Sequence, residues 1–427
     1  MVRHRRLGGS KPSPRRSMFR VTGRTLPLCL CIVASIAQTF VWSSWNFTPF
    51  DGGGSDPQGY NPSTMEDSSA HTSCAILFFG LPRSFKLFVL PSIIENVILP
   101  NIDNNCDYYL HYHAVISEKE SRRDAGGTIQ GNNVFLLEDA VRQIYQRDKG
   151  TGKIIPHVSI TNSTMEEYEQ ARNQTMHRYE TTLDEDGNYL YFPYKARTWE
   201  YPQTMRNMVK QWHSINAVFH HMEENARILK RKYSRVAMLR NDVMYVTPLD
   251  VYQLSTRERD VENNHFVIPD WANYPINDRM VAGPYDAVKI WATERFRRVD
   301  RHVRTYPIPG WGVHSEKFLN FSIVPAMLNA SGHSSSSSSY VMDQNPNVCF
   351  LRARADGSVW IEDCGKSFYF NKEYFDMEHV VLQLLEKYGG IANHSNDGRV
   401  TCTKKQIRGV NRQDIMPCKG NATFSIP

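Results

Sequence analysis

Three polar residues directly follow a short apolar run near the middle of the chain. Residues 236–239 are apolar, and the run ends abruptly in Arg240, Asn241 and Asp242. Such a run predicts a buried strand, and open α/β proteins place ligands at the carboxyl ends of their strands. We therefore expect Asp242 to face a divalent metal ion or a sugar nucleotide. The alternative is that Asp242 caps a turn or pairs with Arg240.

Other polar side chains follow other predicted strands. Arg83 and Ser84 come after the apolar residues 75–79, separated from them by a turn at Gly80 and Pro82. Because parallel strands bring their carboxyl ends to one edge of a sheet, we expect these side chains to lie near Asp242. Later loops add four more candidates, which are Asp278, Arg279, His314 and Glu316.

This mixture of residue types suits the transfer of a sugar from a nucleotide. The diphosphate leaving group must be neutralised, either by Mg²⁺ or Mn²⁺ held by carboxylates or by fixed Arg and Lys side chains. In an inverting reaction the acceptor hydroxyl needs a carboxylate or a histidine as its base. The aromatic faces of Trp271 and Trp311 suit sugar rings, because the C–H face of a pyranose is apolar.

Alternating strand and helix patterns predict the sheet that would position these residues. Residues 75–79 and 108–113 are predicted strands joined by a helix to about residue 98, which makes a βαβ unit with a parallel pairing. A strong helical periodicity at 204–232 leads into the strand at 236–239. Weaker patterns predict two helices at 135–147 and 164–180, a strand at 265–268 and a helix at 285–299.

Five short segments, taken in their order and spacing, resemble a poorly characterised group of GT-A-like glycosyltransferases, which are type II membrane proteins of eukaryotes. The segments are Phe79-Gly80-Leu81-Pro82-Arg83-Ser84, residues 239–245, Ile268-Pro269, residues 277–283 and residues 314–319. The resemblance implies a Rossmann-like, GT-A-type α/β domain over residues 73–330, with a mostly parallel sheet flanked by helices. GT-A enzymes usually present Asp-x-Asp to a metal ion, and only Asp242 of Arg240-Asn241-Asp242 matches that pattern.

The resemblance also implies roles for individual residues. Arg83, Ser84, Asp242 and Arg279 would bind the nucleotide-sugar donor. Asp242 and His314 would hold Mn²⁺ or Mg²⁺, and Asp278 and Glu316 would act as base or sugar-binding carboxylate. Trp271 and Trp311 would contact a glycan or glycoprotein acceptor. For each charged residue in this set, a structural ion pair is the competing interpretation.

Two other classes of protein remain open at this stage. The stretch Gly80-Leu81-Pro82-Arg83-Ser84 also resembles the phosphate loop of membrane-anchored sulfotransferases, which grips a phosphosulfate at a helix N-terminus. That match stops at Phe85, where a glycine and then a threonine would be expected. The third class is a non-catalytic, membrane-tethered carbohydrate-binding protein.

The net charge of +6 is concentrated at the N-terminus. Eight basic residues precede the first acidic residue, Asp51, so the remainder is near neutral and a nucleic-acid-binding body is not expected. Residues 26–45 carry no charge and are long enough, at roughly 30 Å, to cross a bilayer as a helix. The basic residues lie only before this segment, which predicts a cytosolic tail over 1–25 and a lumenal body in the Golgi or the endoplasmic reticulum. The alternative is a cleaved signal peptide.

The rest of the chain fits a protein of the secretory pathway. Residues 46–72 form a predicted flexible stem, residues 331–340 a serine-rich linker, and residues 341–427 a disulfide-containing appendage. Six cysteines follow the predicted anchor and allow 15 connectivities. Sequence proximity favours the pairs Cys349–Cys364 and Cys402–Cys418, which leaves Cys74–Cys106. Six glycosylation sequons are predicted in the lumenal part, at Asn162, Asn173, Asn320, Asn329, Asn393 and Asn421.

Overall fold

The computed structural model describes part of the chain, all of it within a compact unit that spans residues 67–427. The described residues are 74–119, 126–147, 154–192, 201–256, 264–272, 274–306, 313–330, 339–357, 359–360, 364, 400–401, 407–408 and 417–418. Within these ranges, every helix is too short or too polar to cross a membrane. The predicted tail, anchor and stem at 1–72 lie outside them, as does the serine run at 331–338.

The described residues form β-strands along the whole unit. These are β1 (Cys74–Gly80), β2 (Asp107–Ala114), β3 (Ser117–Glu118), β4 (Gly127–Thr128), β5 (Val158–Thr164), β6 (Arg235–Arg240), β7 (Val243–Tyr245), β8 (His265–Pro269), β9 (Val281–Pro284), β10 (Val341–Asn345), β11 (Phe350–Ala353), β12 (Val359–Trp360), β13 (Val400–Thr401), β14 (Ile407–Arg408) and β15 (Pro417–Cys418).

The α-helices pack around these strands. They are α1 (Leu90–Ile93), α2 (Leu136–Arg147), α3 (Met165–Thr181), α4 (Gln203–Ile228), α5 (Tyr285–Thr293), α6 (Arg295–Thr305), α7 (Ser315–Phe318) and α8 (Val324–Leu328). π-Helical turns at Phe85–Val89 and Ile94–Ile98 flank α1, and a 3₁₀ turn at Leu99–Asn101 ends that segment. The predicted helix at 285–299 is two helices, α5 and α6, which meet at Glu294.

Seven strands form the central sheet, in the order β10-β8-β9-β6-β1-β2-β5. β6, β1, β2 and β5 pair with one another in parallel, as do β8 and β10. β9 runs antiparallel to β6 and β8. The predicted mixed α/β fold with a mostly parallel sheet is therefore confirmed.

Alternate residues of β1 contact two cores, one on each face of the sheet. Ile76 and Phe78 pack on the side of α1 and α2, and Ala75, Leu77 and Phe79 pack on the side of α4 and α5. Each of these side chains is almost completely buried. This all-apolar composition is typical of a central parallel strand that is covered on both faces.

The sheet extends past the expected end of the catalytic domain at residue 330. β10 pairs with β8 in parallel, and β11 pairs with β7 in antiparallel register, with Arg352 opposite Val243. Residues 341–353 are therefore not a separate appendage. The predicted disulfides Cys74–Cys106 and Cys349–Cys364 are present, whereas Cys402 lies outside the described residues.

Three histidines lie buried or half-buried between β2, β5 and α4. His111 hydrogen-bonds to Ser214 and Ser163 at 2.8 and 3.0 Å, and His113 Nε2 donates to the Lys210 carbonyl at 3.0 Å. Arg172 donates to His213 at 3.1 Å. Burial lowers the pKa of all three histidines, to about 4 for His113 and His213. They are therefore neutral in the folded protein at neutral pH.

We expect the fold to lose stability in acid as these histidines are protonated. Since their folded-state pKa values are depressed, the unfolded chain takes up protons first as the pH falls below about 6.5. The neutral histidines therefore make their full contribution to the free energy of unfolding above a pH of about 6.5. This contribution declines towards pH 4, by on the order of 2–3 kcal/mol for each histidine with a pKa near 4. Thermal melts from pH 7 to 4 measure this, and His113→Gln should flatten the dependence. His177→Gln, an exposed control on α3, should not. Equal slopes in all three proteins would contradict the assignment.

Candidate functional site

The turn after β1 and the end of β6 meet because the two strands are neighbours. Phe79 pairs with Arg240 in the parallel register, so the residues that follow each strand lie side by side. Gly80 has a φ of +120°, and a Cβ there would lie 2.9 Å from the Asn241 side-chain oxygen. Glycine at this position therefore allows the chain to turn and to bring Arg83 against the end of β6.

Asp242 is held between two guanidinium groups. Arg240 Nε and Nη2 donate to its two oxygens, each at 2.7 Å, and Arg83 Nη1 donates to Oδ2. Arg83 also donates twice to Glu118. The Asp242 side chain is only 2% exposed. The ion pair with Arg240, which the sequence left as an alternative, is therefore present and forms part of a buried network.

The charge environment of Asp242 keeps it ionised. Burial alone would raise its pKa, but Arg240, followed by Arg83 and Arg354, outweighs burial and lowers the pKa to about 2. Both oxygens already accept hydrogen bonds from cations, so a divalent ion at Asp242 would be repelled by two adjacent positive charges. Across the described ranges, no three His, Cys, Asp or Glu side chains are grouped to hold a metal. The residues at Asp242 do not fit the Mn²⁺ or Mg²⁺ that the sequence predicts.

A second group of polar side chains lies where the loop before β9 meets the start of α7. Ser315 Oγ donates to Asp278 Oδ2 at 2.5 Å. No hydrogen bond engages the other oxygen, Oδ1, within the described part of the chain. His314 Nδ1 lies 3.1 Å from Glu316 Oε2. The predicted partner of Asp242 in a metal site, His314, thus faces Glu316.

Asp278 and Glu316 have different environments. Burial, reinforced by the charge of Asp278, raises the pKa of Glu316 to about 8, while Arg279 and Arg352 oppose the rise. Burial lowers the pKa of His314. At neutral pH the imidazole is therefore neutral and Glu316 is largely protonated. The site then pairs Asp278, one oxygen of which makes no hydrogen bond in the described part of the chain, with a protonated carboxyl group, and general acid–base chemistry uses such a pair.

Electrostatic interactions link these two groups of residues. Burial would lower the pKa of Arg240, but Asp242 and, more weakly, Asp278 raise it. Asp278 acts in the same direction on Arg295. We use the name charged cluster for Arg83, Glu118, Arg240, Asp242, Asp278, Arg279, Arg295, Glu316, Arg352 and Arg354. Among these ten residues, the six arginines exceed the four carboxyl groups by two, and by three when Glu316 is protonated, so the named residues together carry a net positive charge.

Several members of this cluster could not be identified from the sequence. Arg352 and Arg354 reach it because β11 pairs with β7 and the Ala353 N–H donates to the Asp242 carbonyl at 2.9 Å. Glu118 reaches it through the strand that follows β2. Each of these contacts joins segments far apart in the chain. No local periodicity or motif in the sequence indicates such contacts.

Two predicted site residues are already engaged within the protein. The left-handed backbone of Ser84 (φ 48°) directs its Oγ to the Arg354 carbonyl at 2.7 Å. Trp271 is 1% exposed and donates to the Val348 carbonyl at 2.7 Å, so no sugar ring can stack on it.

The remaining predicted residues are Arg279, Trp311 and the sequon asparagines. Arg279 belongs to the charged cluster, and its guanidinium lies 5.0 Å from the centre of the Trp271 ring. The sequon residues Asn162, Asn173 and Asn329 are exposed and Asn320 is half-buried. Trp311, Asn393 and Asn421 lie outside the described residues.

No family model matches this chain, and no curated protein matches it either.

The ion pairs around Asp242 predict how a substitution at this position changes the stability of the fold. Asp242→Asn would leave Arg83 and Arg240 buried without a full counter-charge, which costs about 3–5 kcal/mol when one partner of a buried pair is removed. Urea denaturation of the variant should show this loss. Asp139→Asn, the same change at an exposed position on α2, should alter stability by less than about 0.5 kcal/mol. An unchanged denaturation midpoint for Asp242→Asn would show that the pair has no structural role.

Proposed function

We propose that the protein is a glycosyltransferase that moves a sugar from a nucleotide-sugar donor to a glycan or glycoprotein acceptor. The observation that carries the proposal is the position of Asp278, which has one oxygen fixed by Ser315 and the other without a hydrogen bond in the described part of the chain. The protonated Glu316 and an excess of arginines surround it. Transfer of a sugar from a diphosphate requires a base, an acid and a positive electrostatic field.

The proposed step uses these groups as follows. Asp278 Oδ1 accepts the proton of an acceptor hydroxyl as that oxygen bonds to the anomeric carbon of the donor sugar. The bond from the anomeric carbon to the phosphate oxygen breaks, and the diphosphate leaves with the electron pair. The arginines of the charged cluster stabilise its charge, and Glu316 donates a hydrogen bond to the reacting sugar or the leaving oxygen. This is an inverting displacement with Asp278 as general base.

In this proposal the arginines perform the neutralisation that a metal ion performs in many enzymes of this type. Asp242 contributes by fixing Arg83 and Arg240, and it does not contact the donor directly. Guanidinium groups match phosphate oxygens in geometry and remain charged at every physiological pH. Donor binding is accordingly expected to persist in excess chelator.

The proposed setting is the lumen of the Golgi or the endoplasmic reticulum, with the chain anchored by residues 26–45. The two disulfides support an oxidising compartment, because such bonds are rare in cytosolic proteins. The exposed sequons at Asn162, Asn173 and Asn329 agree with that topology.

A donor screen on the full-length protein tests the proposal. A panel of UDP- and GDP-sugars and phosphoadenosine phosphosulfate is tested for protection against melting and for turnover, with and without chelator. We expect one nucleotide sugar to protect and to be turned over. Asp278→Asn should lower kcat by roughly 10²–10⁴-fold while donor protection remains, and Asp139→Asn should match the wild type.

The same screen has outcomes that would reject the proposal. Protection by the sulfate donor alone would identify a sulfotransferase instead. Binding of glycans without turnover of any donor would identify a carbohydrate-binding protein. Full activity of Asp278→Asn would remove Asp278 from the reaction.

Glu316 predicts how the rate depends on pH. Because its raised pKa of about 8 keeps it protonated at neutral pH, the rate should fall as the pH rises through that value and the proton is lost. Glu316→Gln remains neutral at every pH, so the decline near pH 8 should be absent from its rate profile. A decline of the same midpoint and size in the variant would assign the titration to another group.

A further inference from the structure

Arg295 differs from the other arginines of the charged cluster. It is the first residue of α6, is 2% exposed, and stacks over Trp291 with 4.0 Å between the guanidinium carbon and the ring centre. Its Nε and Nη1 atoms are buried and make no hydrogen bond in the described part of the chain. Leaving buried charged donors unpaired is costly, and proteins normally supply a partner.

The described residues around Arg295 do not provide that partner. Asp242 is already shared by Arg83 and Arg240. Asp278 acts on Arg295 only at a distance, since no ion pair joins the two within the described ranges, and Asp278 Oδ2 is occupied by Ser315. Burial lowers the pKa of Arg295 to about 9, with Asp278 opposing the change, so the side chain is still a cation at neutral pH.

Stacking on Trp291 offsets only part of the cost of burying the Arg295 charge. A cation over an aromatic face gains on the order of 1–2 kcal/mol, which is less than the several kcal/mol that desolvating an ion costs. The Trp291 ring covers the flat face of the guanidinium, whereas the guanidinium donates hydrogen bonds from its edge. The edge donors therefore lack an acceptor that carries negative charge.

We propose that Arg295 binds an oxyanion of the substrate, namely a phosphate group of the nucleotide-sugar diphosphate. The identity of the phosphate rests on the proposed function, whereas the existence of the oxyanion site rests only on the buried guanidinium. The phosphate supplies the counter-charge and the acceptor atoms that Nε and Nη1 lack. Because Asp278 acts electrostatically on Arg295, the proposal assigns the leaving group and the proposed base to the same charged cluster.

The test compares Arg295→Met, Arg295→Lys and the wild type, all as full-length protein, by calorimetric titration with UDP, inorganic pyrophosphate and uridine. Arg301→Met, an exposed arginine on the same helix, is the matched control. For Arg295→Met we expect 10- to 100-fold weaker binding of UDP and pyrophosphate, as for loss of a charged hydrogen bond. Uridine, which has no phosphate, should bind all four proteins equally. Arg295→Lys should recover part of the lost affinity.

Melting of the unliganded proteins gives a second readout that a purely structural arginine would not produce. Because Arg295→Met removes an uncompensated buried charge and keeps the stacking volume, its melting temperature should equal or exceed that of the wild type. A lower melting temperature together with unchanged UDP and pyrophosphate affinity would show that Arg295 is structural, and the proposal would be wrong. Wild-type protein that binds neither probe would also overturn it.

These results separate the oxyanion site from the proposed function. Sugar transfer that continues with unchanged UDP affinity in Arg295→Met would reject the Arg295 proposal and leave the glycosyltransferase standing. Pyrophosphate binding that depends on Arg295, with no nucleotide sugar turned over, would support the site and reject the glycosyltransferase.

Discussion

The buried pairing of Asp242 with Arg83 and Arg240 is the interaction on which the rest of the site depends. It joins the turn after β1 to the end of β6, the two strands at the centre of the parallel sheet. A buried ion pair contributes little net stability, but removing one partner exposes the full desolvation cost of the other. The pair therefore fixes the geometry at this edge of the sheet, where Arg352 and Arg354 also arrive.

Two carboxyl groups of this cluster have pKa values shifted in opposite directions, because their surroundings differ. Asp242 lies between two cations and keeps a low pKa, whereas Glu316 is buried beside the like charge of Asp278 and keeps its proton. Pairs of titratable groups whose surroundings separate their pKa values are characteristic of acid–base sites. In the proposed reaction, Asp242 is therefore structural, and Asp278 and Glu316 are the reactive groups.

The sequence predicted those parts of the fold that are governed by local pattern. The apolar run at 236–239 and the helical periodicity before it correctly predicted β6 and α4. Sequence proximity correctly predicted Cys349–Cys364, and the pair Cys74–Cys106, which was left over, is also present. Long-range pairing was not predictable, because nothing in residues 341–353 indicates that they join β8 and β7. The burial of Trp271 and Arg295 depends in the same way on tertiary packing, which composition does not reveal.

A crystal structure of the full-length protein with a bound nucleotide sugar tests the central claim most directly. The account predicts the diphosphate within hydrogen-bond distance of Arg295, the anomeric carbon next to Asp278 Oδ1, and Asp242 still paired with Arg83 and Arg240. A donor bound away from these residues, or a diphosphate held by a metal ion on Asp242, would contradict it.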